Sequence, residues 1–210
     1  MPKLLKPVDF SVILWDFDGV IINSNSVREF GFREVLKEFD HKKVEELIEF
    51  HNANGGWSRY VKFRYFYEEI LKCPVSDQKV QELADKFSSI MVDNLSNPDL
   101  LIDQTVKFIQ EMYSKSKHMH IVSGSDGREL ITLCGQLGIS KYFRSIAGSP
   151  TPKIDLVKAL IDTSHLNPKG FCLIGDAKND YDAANANGIK FYGFNNPSLK
   201  KLDGYIDSFL

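Results

Sequence analysis

The sequence predicts an α/β protein built on a doubly wound parallel sheet, with an all-helical segment inserted after the first strand. Three observations support this prediction. Short apolar runs alternate with stretches of helical periodicity, the apolar runs are mostly continuous, and the long stretch 23–97 contains no convincing strand. Continuous apolar runs are typical of strands buried on both faces of a parallel sheet, and repeated β-α alternation favours right-handed crossovers.

The predicted core elements follow in order along the chain. Five apolar runs predict strands at 11–15, 118–122, 145–148, 170–174 and 189–194. Helical periodicity predicts helices at 103–113, 127–137, 154–162 and 180–187. The dipeptide Asn167-Pro168 breaks the chain before the fourth strand.

The stretch 23–97 is too long for a simple crossover connection. Its amphipathic patterns predict helices at 27–39, 43–50, 59–71 and 77–91, with breaks at Gly55-Gly56 and Cys73-Pro74. We therefore expect an inserted helical domain, 23–97, carried by a core of residues 1–22 and 98–210.

Composition excludes several classes of protein. The 210 residues are 43% hydrophobic and 26% charged, a balance typical of a globular chain rather than a disordered one. The formal net charge of −2 gives no indication of the basic face that nucleic-acid phosphates require. We expect no nucleic-acid partner.

Cysteine usage and the N-terminal residues predict a cytoplasmic protein. Cys73, Cys134 and Cys172 are far apart and form no CxxC pair, so neither a disulfide framework nor a thiolate zinc site is indicated. Residues 1–7 are too short and too interrupted for a signal peptide, and the apolar run 10–15 is far below the length of a membrane span.

The strongest local signal is an acidic pair directly after the first strand. Asp16 and Asp18 stand two positions apart and are followed by Gly19, which permits a sharp backbone turn. Ligands bind beyond the carboxyl ends of strands in parallel sheets, where one carboxylate can be a nucleophile and its neighbour a general acid and base. Alone, the motif is equally consistent with an ordinary acidic turn.

A second acidic cluster follows another apolar strand. Asp176 and Asp180 flank the start of a predicted helix, and both strand ends are expected to face one crevice with Asp16 and Asp18. Carboxylates gathered in this way repel one another unless a cation is present, and oxygen ligands suit Mg²⁺. Asp180 taken alone is also consistent with a helix N-cap.

Two further segments supply positive or hydrogen-bond-donating groups. The hydroxyl of Ser123 and the backbone N–H groups around Gly124, between a strand and a helix, form a possible anion cradle, although a serine N-cap explains the same pattern. Lys153 follows Pro152 at a helix start. The helix dipole disfavours a lysine there, so its placement favours a functional role as a fixed charge.

These four segments, in this order, resemble the haloacid dehalogenase superfamily, and in particular its phosphoglycolate-phosphatase-like branch. Each motif is short, but together they form a specific signature: Asp16-Phe17-Asp18-Gly19-Val20, Ser123 after an apolar strand, Lys153, and Gly175-Asp176-Ala177-Lys178-Asn179-Asp180. The resemblance implies a Rossmann-like core and identifies the helical insertion with the C1-type cap of that superfamily.

The resemblance also implies a reaction and a role for each residue. Asp16 matches the nucleophile that forms an aspartyl-phosphate, and Asp18 matches the acid/base residue that protonates the leaving oxygen and then activates water. Ser123 and Lys153 match phosphate-orienting groups. The implied ligands of the Mg²⁺ cofactor are Asp16, the carbonyl of Asp18, Asp176 and Asp180. An Asp at the position of Asp18 favours phosphate-ester chemistry over dehalogenation.

Substrate choice in this superfamily resides largely in the cap. The polar, glycine-containing turn 51–59 is a candidate to face the active site, with Arg59 as the preferred substrate contact and His51 or Asn54 as further candidates. A solvated Arg59 at a helix start capped by Ser58 is the alternative.

The leading hypothesis is a phosphatase that acts on a small phosphorylated metabolite, such as phosphoglycolate or a sugar phosphate. Two alternatives remain. A phosphomutase of the β-phosphoglucomutase type shares the catalytic apparatus and returns the phosphoryl group to a sugar. A non-catalytic module that binds Mg²⁺ and phosphate needs no turnover.

Overall fold

A computed structural model describes residues 6–202 and 204–209. Its centre is a six-stranded, fully parallel sheet with the order β3-β2-β1-β4-β5-β6. The strands are β1 Val12–Trp15, β2 His118–Asp126, β3 Ser145–Ser149, β4 Phe171–Gly175, β5 Lys190–Phe194 and β6 Tyr205–Ile206. The strand order reverses at β1, so the carboxyl ends of β1, β2 and β4 surround the crevice where doubly wound folds bind ligands. The predicted fold class is confirmed.

Helices that follow the strands cover the sheet. They are α5 Asp103–Ser114, α6 Gly127–Gln136, α7 Lys153–Ser164 and α8 Lys178–Ala186. Every residue of β1 and β4 is buried, as their continuous apolar sequences predict for central strands.

Between β1 and α5, the regular structure of residues 25–95 is helical throughout. It contains α1 Asn25–Val35, α2 His41–Ala53, α3 Arg59–Tyr65, a π-helical turn Phe66–Ile70 and α4 Asp77–Leu95. We call this stretch, 25–95, the helical segment. Its aromatic residues pack on one another, with Phe63 and Phe87 both contacting Phe32. Where the segment leaves and rejoins the core, the N–H of Asn23 donates to the carbonyl of Leu100.

Several elements differ from the sequence predictions. The helix predicted over 27–39 ends at Val35, and the helix predicted over 77–91 continues to Leu95. The single helix expected over 59–71 changes to a π-helical turn at Phe66, where Phe66 and Tyr67 both pack against Phe39. Strand β2 continues beyond residue 122 to Asp126, with a shift in its pairing to β3. The short strand β6 was not predicted, because two residues carry no readable periodicity.

Among the described residues, no helix combines the length and apolar character that a membrane crossing requires. Residues 1–5 of the N-terminal stretch, on which the expectation about a signal peptide rests, lie outside the described residues.

Candidate active site

The carboxyl ends of β1 and β4 bring three carboxylates together. Ligand oxygens of Asp16, Asp176 and Asp180 all lie within 4.8 Å of one another. Asp16 directly follows β1, Asp176 follows β4, and Asp180 lies in the first turn of α8. Adjacent parallel strands β1 and β4 place these residues at one edge of the sheet, as the sequence predicted.

A buried lysine neutralises part of this charge. Lys153, the first residue of α7, has its Nζ 2.9 Å from Asp16 Oδ1 and also contacts Asp180 Oδ1. The other carboxylate oxygen of Asp180 accepts a hydrogen bond of 3.0 Å from the N–H of Ala177. Burial opposes the charge on Lys153, but the two carboxylates outweigh it and raise the pKa of the ammonium. Lys153 therefore carries a fixed positive charge.

One ammonium does not balance three carboxylates. Burial, and then the charge of Asp180, raise the pKa of Asp16 to about 7. Burial and the charges of Asp16 and Asp180 also raise the pKa of Asp176 well above its ordinary value. Because all three donors are carboxylate oxygens, the cluster fits a hard divalent cation such as Mg²⁺, which would relieve this repulsion.

Gly19 allows the loop after β1 to approach this cluster. Its φ of +70° is in the left-handed region, and a Cβ atom there would lie 2.0 Å from Asp176 Oδ2. Both the conformation and the contact exclude a larger residue without a shift of Asp176. The predicted sharp turn is present.

Asp18 has a different environment from Asp16. Its Oδ1 accepts from Arg28 Nε at 3.0 Å and from the hydroxyl of Ser24, while its Oδ2 accepts from Ser125 Oγ. Burial alone would raise the pKa of Asp18, but Arg28 and the two hydroxyls outweigh it and hold the pKa at about 2. Asp16 and Asp18 are thus tuned in opposite directions, as expected for two carboxylates with separate roles.

The segment after residue 122 is extended rather than a loop. Ser123 is buried, and its Oγ accepts a 3.2 Å hydrogen bond from the N–H of Ser125. The N-cap of α6 is Asp126, whose carboxylate accepts from the N–H groups of Arg128 and Glu129. The alternative that Ser123 serves as a helix cap is therefore wrong.

A cavity of about 340 Å³ lies above the carboxylates, between the core and the helical segment. Core residues Asp16, Asp18, Ser123 and Gly124 line it. The volume falls in the range of small-molecule sites, which begins near 300 Å³. The strand-end residues therefore face a space of metabolite size.

The loop 54–58 closes one side of this cavity. The predicted turn 51–59 is therefore shorter than expected, since residues 51–53 belong to α2 and Arg59 begins α3. Asn179 Nδ2 donates to the carbonyl of Gly56 at 2.9 Å. A Cβ at Gly124 would lie 2.0 Å from the oxygen of Gly56, so only glycine permits this approach. His51 lines the cavity, whereas Asn54 is not part of its lining.

Arg59 lies beside the cavity and is not solvated. Its Nη1 contacts Glu129 Oε2 at 2.5 Å and donates to Ser88 Oγ at 2.7 Å. The other oxygen of Glu129 accepts from Arg28 Nη1 at 2.6 Å. One buried carboxylate of α6 therefore joins two arginines of the helical segment, and the alternative of a solvated Arg59 is wrong.

Sequence reasoning missed four groups around the acid pair: Ser24, Arg28, Ser125 and Glu129. Ser125 directly follows Ser123 and Gly124, the residues predicted to bind an anion. Its position in the sequence could therefore have indicated a role in the site. Arg28 and Glu129 lie in unremarkable helical patterns 101 positions apart, and only tertiary packing brings them together.

Comparison with known proteins identifies the family. A family model described as haloacid dehalogenase-like hydrolase matches residues 13–194. The chain belongs to this family. Curated phosphoglycolate phosphatases from Haemophilus influenzae (strain 86-028NP) and Pasteurella multocida (strain Pm70) are 24% and 23% identical to it over 196 residues, which is 89% of this chain and 88% of each relative.

Solved structures share the fold of this haloacid dehalogenase-like hydrolase. The crystal structure of β-phosphoglucomutase from Clostridium difficile superposes with a TM-score of 0.74 at 22% identity, covering 95% of this chain and 92% of that chain. The predicted family and the assignment as an enzyme of phosphatase type are confirmed. The roles of individual residues stay predictions.

Proposed function

We propose that this hydrolase cleaves small phosphate monoesters with Mg²⁺ through an aspartyl-phosphate on Asp16. The observation that carries the proposal is the buried cluster in which Lys153 contacts Asp16 and Asp180, with Asp176 close by and Asp18 two positions along the chain. One crevice then holds the groups that the reaction needs: a nucleophile, an acid/base group, a fixed cation and a carboxylate metal site.

The first step transfers the phosphoryl group to the enzyme. A carboxylate oxygen of Asp16 attacks phosphorus, the bond from phosphorus to the ester oxygen breaks, and that oxygen takes a proton from Asp18. Asp18 must carry this proton before transfer. The water cleaved in the previous turnover supplies it, and the contact of Asp18 with Arg28 must loosen for the carboxyl to keep it. Lys153 and the N–H groups at Ser123 and Gly124 balance charge on the phosphoryl oxygens.

The second step returns Asp16 to its starting state. Ionised Asp18 removes a proton from water, the water oxygen attacks phosphorus, and the bond between phosphorus and Asp16 breaks to release inorganic phosphate. The low pKa of Asp18 keeps its carboxylate in the ionised form that this step starts from.

Mg²⁺ would be held by Asp16, Asp176, Asp180 and the carbonyl of Asp18, and when bound it supplies positive charge to the phosphoryl oxygens. The cluster of carboxylates and the raised pKa values of Asp16 and Asp176 support this set of ligands.

The helical segment would act as the cap over this site. Its contacts with the core through Gly56 and Arg59, and the cavity between them, support a domain of residues 23–97 that excludes water during transfer. The substrate class is a small phosphorylated metabolite, of the phosphoglycolate or sugar-phosphate kind. A cytoplasmic location is supported by the free, exposed thiol of Cys73.

The test is release of inorganic phosphate from a panel of small phosphate monoesters with and without Mg²⁺. Release that needs Mg²⁺ and is abolished by Asp16→Asn is the expected result. No release from the whole panel would contradict the proposal. Isomerisation of a sugar phosphate that outpaces phosphate release would instead identify a phosphomutase.

A further inference from the structure

Three cationic side chains of the helical segment line the cavity: Arg28, Arg59 and Lys62. All three are at least nine-tenths buried, with 5%, 4% and 3% of their surface exposed, respectively. Burying a cation is unfavourable unless an anion or a set of hydrogen bonds compensates it. The partners of each cation therefore indicate what the cavity is built to hold.

The two arginines are compensated within the protein. Arg28 contacts the carboxylates of Asp18 and Glu129, and Arg59 contacts Glu129 and the hydroxyl of Ser88. Both guanidinium groups therefore have an anionic partner before any ligand binds. This makes Arg59, the contact preferred from the sequence, a less suitable anchor for a charged substrate.

Lys62 is different. In the part of the chain that the structure describes, its one hydrogen-bond partner is Nδ1 of His51 at 2.8 Å, and no carboxylate lies within salt-bridge distance. Burial, and then the charge of Lys62, lower the pKa of His51 to about 3, so this imidazole is neutral and supplies no negative charge. Lys62 is therefore a buried amine that pairs directly with no anion among the described residues.

The charges around Lys62 also favour an anionic partner for its amine. Burial is the main cause that lowers the pKa of Lys62 to about 7. The charge of Asp18 opposes this shift, and repulsion from Arg28 and Arg59 adds to it. An anion placed beside the ammonium would offset both effects. The cavity that Lys62 lines is the one that contains Asp16, so an anion there would belong to the molecule being cleaved.

We propose that Lys62 binds a second anionic group of the substrate, a carboxylate or a further phosphate, at the end remote from the phosphoryl group that is transferred. This inference rests on the proposed function and narrows its substrate class to phosphate esters with an anionic tail. The cavity of about 340 Å³ restricts them to small molecules. Lys62 would act as a specificity determinant and take no part in bond breaking.

Binding measurements test this without requiring turnover. In the Asp16→Asn background with Mg²⁺, calorimetry compares three probes: 2-phosphoglycolate, 2-hydroxyethyl phosphate and ethylene glycol bisphosphate. The first and third carry a carboxylate or a second phosphate where the second probe carries a neutral hydroxyl. We expect at least one anionic probe to bind about tenfold tighter than the neutral one, a typical effect of one charge-assisted hydrogen bond.

Adding Lys62→Met should remove this preference by weakening the anionic probes much more than 2-hydroxyethyl phosphate. Lys62→Arg should retain part of it, and Lys86→Met, at an exposed position of α4, should change nothing. The probe that loses more affinity identifies the anion as carboxylate or phosphate. Equal affinities for all three probes, or equal weakening of all three by Lys62→Met, would overturn the inference.

Measurements of hydrolysis distinguish failure of this inference from failure of the proposed function. A protein that hydrolyses 2-hydroxyethyl phosphate as efficiently as the anionic probes is a phosphatase without the inferred subsite. A protein that binds the anionic probes through Lys62 and never releases phosphate has the subsite but is no phosphatase.

Discussion

Lys153 Nζ lies 2.9 Å from Asp16 Oδ1, in a contact almost completely shielded from water. The same ammonium contacts Asp180, so one cation lies between the predicted nucleophile and a carboxylate of the predicted metal site. Removing it would leave the carboxylates to repel one another and an incoming phosphoryl group in a buried space.

Lys153→Met should therefore lower kcat/KM by about 100-fold or more, in the range of a lost preorganised charge at a reacting group. Steady-state release of phosphate measures this, with circular dichroism to establish folding. Lys158→Met, on the exposed face of the same helix, is the matched control and should be nearly neutral. Equal activity of the two variants would exclude a role for the Lys153 charge.

Mg²⁺ should stabilise the folded protein because the carboxylate cluster is assembled only in the native state. At a concentration 100 times the dissociation constant, the expected gain in unfolding free energy is about 2.7 kcal/mol. Asp176→Asn should abolish the rise in melting temperature, while Asp182→Asn, an exposed partner of Lys178, should retain it. A Mg²⁺ effect that survives in Asp176→Asn would place the ion elsewhere.

Glu129 should be required for a firm contact between the core and the helical segment. Glu129→Gln leaves the guanidinium of Arg59 without an anion in a buried position, a change expected to lower the unfolding free energy by about 3 kcal/mol. Urea denaturation measures this against Glu111→Gln, whose carboxylate is half-exposed and pairs with Lys115. Similar midpoints for the two variants would mean that the buried ion pairs contribute little.

Gly124 should permit the close approach of the turn at Gly56 to the core. Gly124→Ala puts a methyl group 2.0 Å from the Gly56 oxygen, so the turn must move and catalysis should fall. Gly135→Ala, in α6 with no atom within 4 Å of the added Cβ, should instead stabilise the protein by about 0.5–1 kcal/mol. Unchanged kcat/KM in Gly124→Ala would show that this approach is not needed for the reaction.

The part of the site that the sequence predicted lies at strand ends. Asp16, Asp176 and Lys153 each stand at a strand end or helix start that local periodicity defines, and parallel topology then brings them together. Ion pairs between helices leave no such local signal. Arg59 and Glu129 are 70 positions apart, and their contact depends on how α3 packs on α4 and α4 packs on α6. Lys62 also carries no local signal in the sequence, because only the packing of α3 places it at the cavity.

Lys62 should make the stability of the protein depend on pH in a way that one substitution isolates. Its pKa is about 7 in the folded protein and 10.5 in an unfolded chain, so folding releases its proton between these values. Above pH 10.5 the amine is neutral in both states, and folding carries no cost of burying its charge. As the pH falls towards 7 this cost grows, so the folded protein loses stability.

Lys62→Met should accordingly be more stable than the wild type at pH 6.5, by an amount on the order of several kcal/mol, and this advantage should shrink at pH 9.5. Over this window the neighbouring His51 is neutral in the folded protein and Asp18 is ionised. Asp16 also titrates near pH 7, but it is present in both proteins, so the difference between them reports Lys62. Urea denaturation at both pH values measures the difference. An advantage of Lys62→Met that is independent of pH would mean that the ammonium is compensated in the folded protein, which would also remove the reason to place a substrate anion beside it.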